Sequence, residues 1–200
     1  MLVGTPLRPE FSRPVNREEV LSRLGLKAHI PTLLIMGGSQ GARGLNKAVV
    51  SLVQQMPSYQ FIHLTGARWF ETLKQSYLSS NNVVALAYSH EIYALMKSAD
   101  LTICRSGAGT VAELIACRLP AICVPFPHAT ADHQYYNAKI LADAGAALIV
   151  RENEKLAAQL YQLLQRAPTE WAQMRDNYTR VPVPDPLQAT LTISQRLQEL

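Results

Sequence analysis

The sequence predicts an α/β fold, a Rossmann-like parallel sheet with helices on both faces. Three observations predict it. Apolar runs of strand length alternate with longer segments of helical period, as in repeated β-α units. Two of the runs end in glycine-bearing turns that open a helix. After Val150 the strand signal stops and only helical segments follow.

Before the first strand, Asn16 with Glu19 three residues later predicts a capping box, and Gly25 ends the helix that it opens. The predicted strands are Thr32–Met36, Tyr59–Leu64, Val83–Leu86, Leu101–Cys104, Ala121–Val124 and Ala147–Val150. Between them Leu45–Gln55, Trp69–Leu78, Ile92–Ser98, Val111–Cys117 and Tyr135–Ala144 read as helices. Glu154–Arg166, Thr169–Tyr178 and Leu187–Leu200 follow as a helical tail, broken at Pro168 and at the Pro182, Pro184, Pro186 stretch. Residues 1–14, with three prolines between Gly4 and Pro14, read as a linker entering the domain. The expected division is therefore 1–14 linker, 15–151 ligand-binding domain and 152–200 helices packed on it. No repeat or low-complexity tract interrupts this pattern.

Composition excludes several classes. A chain of 200 residues, 48% hydrophobic and 17% charged, buries a sizeable core and is not disordered. The longest stretch without Asp, Glu, Lys or Arg, Ala48 to Ala67, contains Gln54, Gln55, Pro57, Gln60 and His63, so no transmembrane segment is expected. The start MLVGTPLRPEF lacks the features of a signal peptide, which gives the cytoplasm as the expected compartment. Cys104, Cys117 and Cys123 lie inside apolar runs and read as buried thiols. The net charge of +4 is scattered, without the basic run or aromatic interleaving that nucleic acid binding favours.

Ligands of open parallel sheets bind at the carboxyl ends of the strands, so the loops after the apolar runs carry the chemistry. The first is Gly37-Gly38-Ser39-Gln40-Gly41-Ala42. Its glycines allow a sharp turn and close approach, and free N–H groups at the following helix start attract an anion. It is neither a Walker loop nor a clean GxGxxG. The second is Arg105-Ser106-Gly107-Ala108-Gly109-Thr110, with Glu113 one turn further on. Glu113 reads either as a first-turn acid that complements the helix dipole or as an acceptor for ribose hydroxyls. The third is Pro125–Gln134, whose His128, Asp132, His133 and Gln134 suit a hydroxyl-rich ligand. His29, His63 and His90 have no constellation around them and read as structural or exposed. No Asp-x-Asp, His-Glu-x-x-His or cysteine pair suggests a metal, and no cofactor is expected. A diphosphate leaving group would then rest on helix N-termini and arginine, for which Arg8 and Arg105 are candidates.

The segments GTPLRPEF, LLIMGGSQGARGLN, ADLTICRSGAGTVAEL, LPAICVPFP and HQYYNAKILADAGAA together closely resemble the carboxyl-terminal half of the MurG family, the peptidoglycan N-acetylglucosaminyltransferases that convert lipid I to lipid II. The resemblance covers most of Val3 to Val150 in order. It implies the donor half of a two-domain GT-B glycosyltransferase, with UDP-N-acetylglucosamine as ligand. The undecaprenyl-linked acceptor, lipid I, would be met by a missing amino-terminal domain or partner chain. It further implies a place peripheral to the cytoplasmic face of the plasma membrane, and negligible transfer by this chain alone. Residue by residue it implies that Arg8 and Ser39 contact the diphosphate and that Ala108, Gly109 and Thr110 hold the nucleotide. Glu113 would take the ribose hydroxyls, Ser89 the uracil through its backbone, and Gln134 the sugar hydroxyls. Gly37, Gly38, Gly41, Arg105, Gly107 and His133 would support these loops. The sequence departs from some members in a His128–Asn137 loop one residue longer, in His133 where they have Gln, and in Gly109 for a larger residue. No residue stands out as the catalytic base. Two alternatives stay open: a half-size transferase subunit recruited by a membrane partner, and a UDP-sugar-binding module without transferase activity. A NAD-type enzyme is disfavoured, because the acid expected at the end of the second strand is absent.

Overall fold

A computed structural model describes residues 4–38, 40–166 and 168–198. Among these, six strands form one parallel sheet: β1 (Thr32–Met36), β2 (Gln60–Leu64), β3 (Val83–Leu86), β4 (Leu101–Cys104), β5 (Ala121–Cys123) and β6 (Ala147–Ile149). Their order across the sheet is β3-β2-β1-β4-β5-β6, with Met36 beside Leu64 on one side and beside Cys104 on the other. Each strand is one of the apolar runs read from the sequence, to within one residue at either end. Purely parallel sheets are buried on both faces, which is why the runs are predominantly apolar rather than alternating.

The connecting helices are α1 (Arg17–Arg23), α2 (Arg43–Gln55), α3 (Phe70–Ser76), α4 (Ile92–Ser98), α5 (Ala108–Cys117) and α6 (His133–Asp143), followed by α7 (Leu156–Leu164), α8 (Pro168–Asp176) and α9 (Pro186–Gln198). Alternate strand residues feed two cores, as the two-residue period of a strand requires. Leu34, Met36, Ile62 and Cys104 pack with α1, α4, α5 and α6, whereas Leu33, Ile35, Phe61 and Ile103 pack with α2, α3, α7 and Trp171 of α8. The region read as one helix, Trp69–Leu78, is a 3-10 turn at Ala67–Trp69 followed by the shorter α3.

Local chemistry fixes the ends. Asn16 accepts hydrogen bonds from the N–H groups of Glu18 and Glu19, and Gly25, at φ +72°, closes the turn after α1. Arg17 holds both carboxylate oxygens of Asp100, whose Oδ2 also accepts the N–H of Thr32, so one acid ties α1 to the starts of β1 and β4. The proline-bearing segment before α1 lies on the domain: Phe11 is buried, and Lys97 Nζ donates to the carbonyls of Phe11 and Arg13. At the other end Tyr178 donates to the Leu119 carbonyl, and α9 packs against α5.

Candidate functional site

The strand order places the topological switch between β1 and β4. The chain leaves β1 towards β2 on one side and leaves β4 towards β5 on the other, so their carboxyl-terminal loops diverge and open a crevice. The two glycine-bearing loops of the sequence are these two loops.

The loop after β1 is shaped by a tight interlock. Gly38 and Gly41 have φ of +86° and +73°, and a Cβ on Gly41 would lie 2.1 Å from the Thr65 carbonyl oxygen. A Cβ on Gly66, in the loop after β2, would lie 2.4 Å from the Gly41 nitrogen, so the two loops touch backbone to backbone. Ser39 lies outside the described residues. Behind the interlock, Asn46 Nδ2 donates to the Thr65 carbonyl, while Asn46 Oδ1 contacts His63 Nε2 and His63 Nδ1 contacts the Tyr77 hydroxyl. His63, read from the sequence as having no constellation, is thus the centre of a buried one.

The loop after β4 ends in α5, read as starting at Val111 and starting at Ala108 instead. Its N-cap, Gly107, brings no side-chain cap, the first turn holds no acid, and Val111 is the first residue whose N–H finds the Gly107 carbonyl. The N–H groups of Ala108, Gly109 and Thr110 therefore point out of the helix at its positive end. A Cβ on Gly107 or Gly109 would meet nothing within 4 Å, so space is open there. Helix α2 also starts without a side-chain cap, at Ala42.

Between the loops lies a cavity of about 220 Å³. Arg8, Gly38, Ser89, Thr110 and Glu113 line it, with Tyr88 and Ile92 beside them. Glu113 is half-buried; burial raises its carboxyl above the ordinary value, and the Arg8 guanidinium acts in the opposite direction. Ser89 Oγ accepts the N–H of Glu91 and so shapes the turn into α4. Tyr88, more than half exposed, is a pocket residue that sequence reasoning missed. An aromatic just past a strand carries no periodic signal.

Other sequence candidates do not line this cavity, Ala108, Gln134, His133 and Arg105 among them. Ala108 lines a neighbouring cavity with Gly4 and Thr5. Gln134 faces the loop after β5: its Oε1 accepts the Phe126 N–H, and its carbonyl accepts the Ser106 hydroxyl, which joins the second and third loops. His133 Nδ1 contacts the Thr130 carbonyl at the exposed start of α6. Arg105 needs correction as a phosphate candidate. Its guanidinium donates to the carbonyls of Val124 and Pro125 and pairs with Glu152, at 8% exposure, which makes it a brace between the ends of β4, β5 and β6. Position beside a glycine loop suggested a ligand; the acid that claims it, Glu152, is 47 residues away in sequence.

A larger cavity of about 450 Å³ opens at the amino-terminal edge of the sheet, between Arg17, Asp100, Trp171 and Arg175. It lies at the end of the strands where open α/β sheets do not bind ligands, and Arg17 is already held by Asp100. Among the described residues no cluster of His, Cys, Asp and Glu could hold a metal.

Known proteins resemble this chain across the whole sheet. The model of the glycosyltransferase family 28 C-terminal domain matches residues 32–185. A UDP-N-acetylglucosamine--N-acetylmuramyl-(pentapeptide) pyrophosphoryl-undecaprenol N-acetylglucosamine transferase of Elusimicrobium minutum is 41% identical over 206 residues, covering 100% of this chain and 57% of its own length. The enzyme of the same name from Desulforudis audaxviator is 38% identical, over 98% of this chain and 56% of its own. The crystal structure of Acinetobacter baumannii MurG superposes with a TM-score of 0.76 at 29% identity, covering 96% of this chain and 55% of that one. The glycosyltransferase WaaG, of lipopolysaccharide biosynthesis, matches at a TM-score of 0.66 and 19% identity, a likeness of fold. The chain spans a little over half the length of the curated relatives that it matches. With its switch-point crevice, its fold shared with the carboxyl-terminal half of a GT-B enzyme and a family match across the whole sheet, the chain belongs to glycosyltransferase family 28, whose C-terminal domain it carries.

Proposed function

We propose that the chain is the donor-binding half of an inverting N-acetylglucosaminyltransferase, holding UDP-N-acetylglucosamine in the crevice between β1 and β4 for transfer to lipid I, which gives lipid II for peptidoglycan. The observation that carries this reading is one cavity that brings Arg8, Thr110 and Glu113 together beside the uncapped start of α5. Its relatives bear the name of that transferase.

In this reading the diphosphate lies against the outward N–H groups of Ala108, Gly109 and Thr110, with Arg8 and Ser39 as further donors. Glu113 accepts the ribose hydroxyls. Its tendency to protonate is opposed by Arg8, so an anion that engaged Arg8 alone would weaken the acid as an acceptor. The uracil meets the backbone at Ser89. Gln134, whose Oε1 is held by Phe126, offers Nε2 hydrogens to sugar hydroxyls. Transfer proceeds by attack of the acceptor hydroxyl on the anomeric carbon as the bond to the UDP oxygen breaks. Helix N-termini and Arg8 stabilise the charge that develops on the leaving diphosphate. The proton of the attacking hydroxyl passes to a general base. The acceptor, and contact with the cytoplasmic face of the plasma membrane, involve an amino-terminal half, whether joined or separate. Without it donor and acceptor are not brought together, and transfer is negligible.

Calorimetric titration with UDP-N-acetylglucosamine, UDP and NAD tests the reading. The two uridine ligands bind and NAD does not. Glu113→Ala weakens UDP about 10- to 100-fold, the value of lost hydrogen bonds to a charged acceptor. Binding of NAD, or UDP affinity indifferent to Glu113, would sink it.

A further inference from the structure

The stretch from Gly37 to Leu78 carries Arg43, Lys47, Arg68 and Lys74 against Glu71 alone, a net +3 of the chain's +4. What looked scattered along the sequence is gathered in space by the packing of α2 on α3. Between these helices runs a groove of about 480 Å³, lined by Arg43, Lys47, Val50, Trp69 and Leu73 among others. Arg68 stacks on Trp69 at 5.2 Å, and Lys74 lies over Phe70 at 5.7 Å. None of the four cations forms an ion pair among the described residues, although six other basic side chains do. At the carboxyl end of α3, Leu78 stands 76% exposed. Cations laid over aromatic rings, beside an exposed leucine and an apolar groove, form a surface whose apolar parts enter an interface while its charges stay with phosphates.

We propose that the α2–α3 face is a contact surface for anionic phospholipid, by which this half of the enzyme itself lies on the membrane. The occupant follows from charge complementarity and, resting on the proposed function, from an acceptor that resides in a lipid bilayer. The contact itself needs no donor or acceptor. Each cation near an anionic bilayer contributes about fivefold in partition, so removing three costs about a hundredfold at low salt.

Trp69 and Trp171 are the chain's two tryptophans, and Trp171 is buried, so Trp171→Phe leaves one reporter in the patch. In that background, vesicles of phosphatidylglycerol should shift Trp69 emission to the blue, and phosphatidylcholine vesicles should not. Co-sedimentation of the chain with both tryptophans present should agree. K47Q/R68Q/K74Q should reduce partition about a hundredfold while keeping its affinity for UDP-N-acetylglucosamine, and K27Q/K155Q/R180Q, with equal loss of charge elsewhere, should reduce it far less. No Trp69 response to anionic vesicles overturns the proposal. So does an equal loss in both triple variants, which would mean net charge alone, or an equal response to inorganic phosphate, which would mean a small-anion site. Donor binding is read in a separate titration, so failure of the proposed function and failure of this contact are told apart.

Discussion

His63 shows how one buried side chain can carry both a loop and a pH dependence. Asn46 donates to the Thr65 carbonyl, so its Oδ1 is the acceptor for His63 Nε2–H, and His63 Nδ1 must then accept from the Tyr77 hydroxyl. Every donor in the chain from Tyr77 to Thr65 runs in one direction, which a protonated imidazole would break. Burial lowers the imidazole pKa to about 3 and raises that of the Tyr77 phenol. Because the folded value lies below the ordinary 6.5, the unfolded chain binds the extra proton between the two. Stability from this group is complete above pH 6.5 and is lost as pH falls towards 3, up to about 5 kcal/mol. Urea midpoints measured from pH 7 to pH 4 should therefore fall more steeply for the natural chain than for His63→Gln. Parallel curves would show that His63 does not titrate in this way. The sequence could not reveal this network: the residues are 14 and 17 apart, on three elements, and nothing in the local pattern of β2 marks His63 as other than a strand residue.

At the scale of elements, the glycine loop after β1 separates two reasons for glycine. Gly38 needs only its positive φ, since a Cβ there meets nothing within 4 Å; Gly41 needs that and the space, with the Thr65 carbonyl in the way. Gly38→Ala should cost about 1–2 kcal/mol, the strain of a left-handed residue. Gly41→Ala should cost about 3 kcal/mol or more, because the carbonyl it meets is held by Asn46 and cannot give way cheaply. Equal losses by urea denaturation would contradict the interlock. Both glycines stood out in the sequence, and their different reasons did not, because the partner loop at Thr65–Gly66 comes from another strand. Strands were legible for the opposite reason: burial on both faces writes itself as a mostly apolar run without polar alternation. Helix starts were less so. The first turns of α5 and α6 lie outside the apolar period, so Ala108 and His133 precede the starts read from the pattern at Val111 and Tyr135. These early turns matter most for the site, since the outward N–H groups belong to them.

For the whole molecule, the order β3-β2-β1-β4-β5-β6 turns a list of loops into a place. It puts the first two glycine-bearing loops on either side of one crevice, attaches the third through Ser106 and Gln134, and leaves Arg105 below them as a brace. The fold class and the crevice were legible in the alternation of runs and in the residues after them. The division of labour between Arg8, which lines the cavity, and Arg105, which does not, was not, because it depends on the distant Glu152. The central claim is that a uridine diphosphate sugar sits in this crevice. Amide chemical shifts of the isotopically labelled chain, followed during titration with UDP-N-acetylglucosamine, test it most directly. The account predicts that the largest changes fall on Ser89 and on Ala108 to Glu113, at the crevice between β1 and β4. Changes centred instead on Ala28 to Ile30 and on Trp171 to Arg175, at the cavity on the opposite edge of the sheet, would contradict it.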